Sequence, residues 1–408
     1  MRKHFYLLIA ILFVAQWGFS QQNALQELKV DVVYLSSDYL EGRETGAKGE
    51  ALAAEYIAHR FQSIGLKPKG ENDTWFHDFD FIFKSNPHAA DGEPRTGMNV
   101  LGYIDNGAST TVVIGAHYDH LGMGHFGSLH AGEKAIHNGA DDNASGVAAM
   151  LRIAQYFKRT GKAKGNNYLF IGFSGEELGL YGSKNFVNTP TIDKTTINYM
   201  INMDMVGRLN DEKVLAVNGA GTSPAWKPII EQIKVGGIQA KTSESGVGPS
   251  DHTSFYLENI PVLHFFTGQH MDYHKPSDDA QLVNYQGLLD VSDFIIALIE
   301  NLDAKGKLEF TKTKDEDESR KASSFKVTLG VMPDYVYSGE GMRVDGVLDG
   351  RPAAAAGLEK GDVIIKLGDL EVKDIYTYMD GLSKFKKGET AKVVFKRGDK
   401  TMEKEVTF

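Results

Sequence analysis

The sequence predicts an α/β fold: a mainly parallel central sheet flanked by helices, followed by a small β-rich domain. Three observations carry this. Strand-like and helical apolar patterns alternate through the first three-quarters of the chain. A nearly all-polar, charged run interrupts it at Lys305–Ser324 and reads as a linker. The remaining residues, 325–408, suffice for one small domain.

The elements follow from apolar spacing. Gly49–Phe61 carries Ala51, Ala54, Tyr56, Ile57 and Phe61 at helical intervals. Asn99–Ile104 and Thr111–Ala116 are short apolar runs with strand character. Ser145–Phe157 gathers Val147, Met150, Leu151, Ile153, Ala154 and Phe157 on an amphipathic helix. Tyr168–Phe173, Tyr199–Met203 and Pro261–Phe266 read as further strands, and Leu288–Leu302 as a closing helix. Leu121–Asn138, rich in Gly and His, reads as a loop.

Bulk properties narrow the setting. Arg2 and Lys3 precede the apolar run Phe5–Val14, and Gly18-Phe19-Ser20 offers small residues for cleavage before Gln21. Residues 1–20 therefore read as a signal peptide, too short in its apolar part to anchor the chain. The mature protein is expected to be exported, periplasmic or secreted, with no membrane span. It divides into a large domain at 21–304, the linker at 305–324 and a small domain at 325–408. The absence of cysteine excludes disulfides and thiolate ligands. A net charge of -10 with no long basic run argues against a nucleic-acid partner.

The chemistry lies at the ends of the apolar runs. Val112–Ala116 leads into His117, Tyr168–Phe173 precedes Glu176 and Glu177, and Tyr199–Met203 leads into Asp204. In open α/β sheets ligand sites form at the carboxyl ends of strands. Asp141-Asp142 precedes a helix, and His274 lies in a polar loop. With no thiolate available, imidazole and carboxylate are the ligand types expected for a pair of Zn²⁺ ions, and such pairs usually serve hydrolysis.

Each member has a plainer alternative. His117 and Asp119, two apart, point the same way on an extended chain, so the carboxylate can support the imidazole; they could equally be surface polar groups. Asp142 or Asn143 suits a helix N-cap, which leaves Asp141 as the carboxylate to bridge two ions. Of Glu176 and Glu177, one can bind metal while the other takes a proton from water, although acidic residues also favour a helix first turn. The conjunction of the five ligand positions, in this order, outweighs any one of them.

These residues resemble the co-catalytic zinc aminopeptidase family of bacterial leucyl aminopeptidases and aminopeptidase Y, over about residues 28–302. Leu40-Glu41-Gly42-Arg43, Gly65-Leu66-Lys67-Pro68, Ser250-Asp251-His252 and Phe266-Thr267-Gly268 look like further family landmarks. The resemblance implies a zinc exopeptidase-like fold holding two Zn ions. His117 and Asp204 would bind one and Glu177 and His274 the other. Asp141 would bridge them, with a cis Asp141–Asp142 peptide. Glu176 would be the general base on a water between the ions, and Asp119 would support His117. Tyr256 and Tyr273 are candidates for polarising the substrate carbonyl. His125, His130 and His137 exceed what the pattern requires. The substrates implied are peptides trimmed at the amino end.

Related dimeric amidohydrolases resembling carboxypeptidase G insert a lid domain before the last histidine. The seventy positions from Asp204 to His274 leave no room for one. Carboxypeptidase action, glutaminyl cyclisation at a single zinc, and a non-catalytic peptide-binding role are the alternatives.

Residues 325–408 resemble a PDZ domain of the bacterial HtrA and tail-specific protease type. Met342–Val347, Pro352-Ala353-Ala354, Ala356-Gly357-Leu358, Gly361–Ile365 and Leu367-Gly368-Asp369 carry the resemblance. It implies a peptide or protein C-terminus added as an extra strand, its carboxylate met by the amides of Leu329-Gly330-Val331.

Overall fold

A computed structural model describes residues 22–83, 92–313, 327–333, 337, 339–347 and 350–408. The expected leader and the 314–324 part of the expected linker lie outside these residues. Contacts divide the chain into two compact units. The first runs to Phe266 and resumes over His274–Thr313; the second comprises Thr267–Tyr273 and Lys314–Phe408.

The first unit opens with helix α1 (22–35) and helix α2 (Lys48–Ile64). Strands β1 (Lys67–Pro68), β2 (Phe76–Phe83), β3 (Glu93–Ile104) and β4 (Thr111–His117) follow. Then come α3 (Gly146–Thr160), β5 (Asn167–Phe173), α4 (Tyr181–Asn188), β6 (Ile197–Met203) and β7 (Val214–Asn218). The unit closes with α5 (Trp226–Ile230), β8 (Gln239–Thr242), α6 (His252–Tyr256), β9 (Val262–Phe266) and α7 (Tyr285–Leu302).

Among the described residues these strands form a nine-stranded sheet in the order β1-β3-β5-β4-β6-β9-β7-β8, with β2 paired to β3. Its centre is parallel: β5 with β4, β4 with β6, and β6 with β9. Antiparallel pairs join β3 to β5 and β7 to β9. The parallel centre has the expected physical signature, since β4, β5 and β6 are buried at every position.

Side-chain alternation distributes those buried strands between two cores. Val112, Ile114 and Ala116, then Tyr168 and Phe170, then Tyr199, Ile201 and Met203 pack with α1, α2, α3 and α7. Their neighbours Val113, Leu169, Ile171, Phe173 and Met200 pack on the other face with Phe186 of α4 and Phe255 of α6. Helices thus cover both faces, as the period of two requires. The sheet's parallel C-terminal edge carries His117, the Glu176-Glu177 turn and Asp204.

The linker expectation needs correction over 305–313. Leu308 is buried in the first unit's core, and its amide donates to Asn198 Oδ1 at 2.7 Å. The Thr311 amide donates to the Thr222 carbonyl, and the Thr313 amide to the Tyr256 hydroxyl at 3.0 Å. Polar composition concealed two anchors, Leu308 and Phe310, spaced to reach the surface of this unit.

The second unit contains β10 (Val331–Pro333), β11 (Met342–Val347), α8 (Pro352–Ala356), β12 (Val363–Leu367) and β13 (Leu370–Glu371), then α9 (Ile375–Ser383), β14 (Thr390–Arg397) and β15 (Lys400–Thr407). The sheet order is β10-β11-β12-β14-β15, with β13 on β12. Its pairings are antiparallel, and Leu329, Val344, Ile364, Leu367, Val393 and Phe395 form its own core.

Candidate metal centre

Five separate segments bring the acids and imidazoles together, His274 coming from the loop after β9. His117 ends β4, Asp142 lies in the irregular turn Ala140–Ser145 before α3, Glu177 follows β5, and Asp204 follows β6. His117 Nε2 lies 3.4 Å from Asp142 Oδ1 and 3.4 Å from Asp204 Oδ1. His274 Nε2 lies 3.3 Å from Asp142 Oδ2 and 3.3 Å from Glu177 Oε2. Two donors at about 2.1 Å from one tetrahedral zinc stand about 3.4 Å apart. The donor spacing therefore fits two metal positions that share the Asp142 carboxylate. Among the described residues, the ion partners of Asp142, Glu177 and Asp204 are imidazoles rather than lysine or arginine.

The electrostatics agree with the spacing. Burial opposes ionisation of Asp142, yet its hydrogen bonds to His117 and His274 hold it well below the usual carboxylate range. Burial likewise opposes ionisation of Glu177, but the charge on His274 and the hydrogen bond from His120 hold it at about 2. Burial disfavours a charged His274, and Glu177 and Asp142 more than reverse this, raising it to about 11. A field that draws protons onto buried imidazoles equally favours divalent cations.

The structure corrects the expected bridge. Asp142, not Asp141, lies between the two imidazoles. Asp141 turns away: its Oδ1 accepts the Gly207 amide at 2.6 Å and the Ser145 hydroxyl at 3.0 Å. The cause is the turn. Both the Asp141 and Asp142 amides donate to Asp278 Oδ2, at 2.9 and 3.0 Å, which fixes the backbone so that consecutive side chains diverge. The cis peptide is correspondingly Asp142–Asn143 rather than Asp141–Asp142. Asn143 locks the next residue by accepting the Gly146 and Met205 amides and donating to the Met203 carbonyl.

Supporting groups hold each donor. His117 Nδ1 donates to the Asp119 backbone carbonyl at 3.3 Å, while the Asp119 carboxylate stands 3.7 Å away. That carboxylate instead accepts from Thr45 Oγ1 at 3.0 Å and from the Glu176 amide at 3.2 Å. His274 sits at a left-handed φ of 54°, which costs a non-glycine residue roughly 1 kcal/mol. It is held there by donating from Nδ1 to the Gly127 carbonyl at 2.9 Å and by accepting the Leu129 amide at 2.9 Å.

Glu176, next to Glu177, has the character of a base. Burial pushes its carboxyl well above the usual range; Asp204, Glu177 and Asp251 push the same way, while His117 opposes them. Of the proposed carbonyl polarisers, Tyr256 is buried with its hydroxyl 2.9 Å from Thr313 Oγ1, and Tyr273 falls in the second unit. The surplus histidines serve the loop: His137 bonds Ser128 Oγ at 2.7 Å, and His125 lies 3.3 Å from Glu44.

Two residues at the centre were not anticipated. His120, three positions past His117, places Nδ1 2.8 Å from Glu177 Oε1. Arg43 is buried beneath the loops and donates to the carbonyls of Tyr118, Leu35, Asn138 and Gly139. Its signal was present in Leu40–Arg43 as a landmark without a role.

Residues 99–299 match the profile of Peptidase family M28, and residues 309–408 that of a PDZ domain. The chain joins an M28 peptidase domain to a PDZ domain. The chain is 30% identical over 188 residues to leupeptin-inactivating enzyme 1 of Streptomyces exfoliatus, covering 46% of this chain and 39% of that one. The chain spans less than half the length of the first curated relatives it matches. Among solved structures, BSAP, a zinc aminopeptidase from Bacillus subtilis, superposes with a TM-score of 0.54 at 18% identity, covering 71% of this chain and 96% of that one. Glutaminyl cyclase of Bacteroides thetaiotaomicron, solved with N-acetylhistamine, superposes with a TM-score of 0.54 at 18% identity, covering 68% and 97%. The first unit thus shares its fold with solved structures of both enzymes, and the site must separate the chemistries.

Proposed function

We propose that the M28 unit is an exported zinc-dependent aminopeptidase that hydrolyses N-terminal residues of peptides. The observation that carries this is the pair of donor sets, His117-Asp142-Asp204 and His274-Asp142-Glu177, sharing one carboxylate with Glu176 adjacent. Cyclisation at a single zinc needs only one such set. The leader-like first twenty residues support export, and among the described residues no helix is long and apolar enough to cross a membrane.

Zinc held by these residues would supply Lewis acidity at the scissile carbonyl and acidify a water. The protein's own groups do the rest. Glu176, its carboxyl raised by burial, takes a proton from that water and passes it to the departing amine. Asp119 fixes the Glu176 backbone by accepting its amide. The carboxylates around the centre attract a free ammonium, which suits a substrate bound by its amino end. The PDZ domain adds a peptide or protein C-terminus as a further strand.

The test is a peptide series incubated with zinc-loaded, chelated and reloaded protein, read by mass spectrometry. Stepwise loss of amino-terminal residues, abolished by chelation and restored by zinc, is expected. Trimming from the carboxyl end, or conversion of glutaminyl peptides to pyroglutamyl products without cleavage, would assign a different reaction.

A further inference from the structure

We propose that His120 is a positioning residue for the second metal position: it holds Glu177 Oε1, so that Glu177 presents only Oε2 toward the site. The inference rests on the metal-binding reading above.

Distance separates this role from that of a ligand. His120 Nδ1 is 2.8 Å from Glu177 Oε1, a hydrogen-bond length and well short of the about 3.4 Å between two donors on one zinc. It is also 3.9 Å from Asp142 Oδ2, farther than His274 Nε2 at 3.3 Å. An ionised Glu177 can only accept, so the proton lies on His120 Nδ1. The other Glu177 oxygen, Oε2, is the one that faces His274 Nε2 at 3.3 Å. The two carboxylate oxygens are thus divided, one to a protein donor and one to the centre.

The ring is fixed from two further directions. The His120 backbone amide donates to the Arg43 carbonyl at 3.1 Å, tying it to the loop that Arg43 braces. Gly139, at φ +55°, presses against the imidazole so closely that a Cβ there would lie 2.5 Å from His120 Cδ2. The side chain is wholly buried, and among the described residues Nε2 has no hydrogen-bond partner. The Nδ1 contact to Glu177 is therefore the polar contact that this buried ring makes. Freed from it, Glu177 is no longer held with Oε2 toward His274, and the donor set at the second position loses its fixed geometry.

The test uses the full chain, stripped of metal and titrated with Co²⁺, following visible absorbance and bound metal by mass spectrometry. In His120→Leu the second equivalent is expected to bind about 10- to 100-fold more weakly, with the first unchanged. His120→Asn places an amide nitrogen where Nδ1 stood and should restore the second affinity. His120→Ser makes the same test as the leucine variant should that chain fail to fold. Two equivalents bound by the leucine or serine variant with wild-type affinity would overturn the proposal, as would an asparagine variant no better than either. Wild-type protein that binds fewer than two equivalents overturns the two-metal reading, and this inference with it.

Discussion

The Asp119 carboxylate accepts the backbone amide of Glu176 at 3.2 Å. Because Asp119 follows β4 and Glu176 follows β5, one hydrogen bond ties the loop that positions His117 to the turn that positions the base. Substituting Glu176→Gln removes the proton acceptor without touching a donor of either set. Turnover should fall by about 10²- to 10⁴-fold while both zinc equivalents remain bound. Steady-state kinetics paired with metal analysis checks this; full turnover with both metals in place would remove Glu176 from the reaction.

The two adjacent aspartates should behave differently. Asp142→Asn withdraws the carboxylate shared by both positions and should release both metals on dialysis. Asp141→Asn keeps an oxygen for the Gly207 amide and the Ser145 hydroxyl, so it should retain two equivalents on dialysis. Equal metal loss in the two variants would contradict the geometry.

Glu50 is buried in α2 and faces the Tyr118 and Ser174 hydroxyls and the Gly46 and Met98 amides. Burial raises its pKa from 4.5 to about 7. A folded-state value above the unfolded one means the protonated form favours folding. That contribution is complete below pH 4.5 and is lost as pH rises through about 7, weakening folding by about 3 kcal/mol. Tyr118 can accommodate the proton, since its own hydroxyl hydrogen goes to the Met98 carbonyl at 2.6 Å. Thermal unfolding of metal-free protein between pH 4.5 and 8 should show a steeper decline in the wild type than in Glu50→Gln. Parallel curves would show that Glu50 titrates normally.

Arg43 braces four carbonyls from three stretches of chain. Arg43→Met leaves them buried without a donor and should cost at least about 3 kcal/mol in urea unfolding. Arg43→Lys should recover little, because an ammonium lacks the planar fork. A lysine variant of wild-type stability would show that charge alone suffices.

Much of the fold was legible because its central strands are buried on both faces. Continuous runs such as Tyr168–Phe173 admit few other readings. The edge elements were not legible: β8, Gln239–Thr242, is mostly exposed and carries little apolar signal. The candidate ligand positions after strand ends were visible as His117, Glu177 and Asp204, and the geometry brings them together with His274. The choice between Asp141 and Asp142 was not legible, because it depends on Asp278, well over a hundred residues later, capturing both amides. His120 was hidden for a similar reason: its importance lies in a contact with Glu177, 57 residues away.

The strap at 305–313 bears on how the M28 domain can be produced alone. A recombinant fragment ending at 304, where the polar composition suggests a boundary, would leave the Leu308 seat open to water and Asn198 Oδ1 without the Leu308 amide. It would also strip the Tyr256 hydroxyl of its Thr313 partners, deep in the second core. A fragment extended through Thr313 keeps these surfaces closed, so the practical end of this domain lies nine residues beyond the one its composition announces.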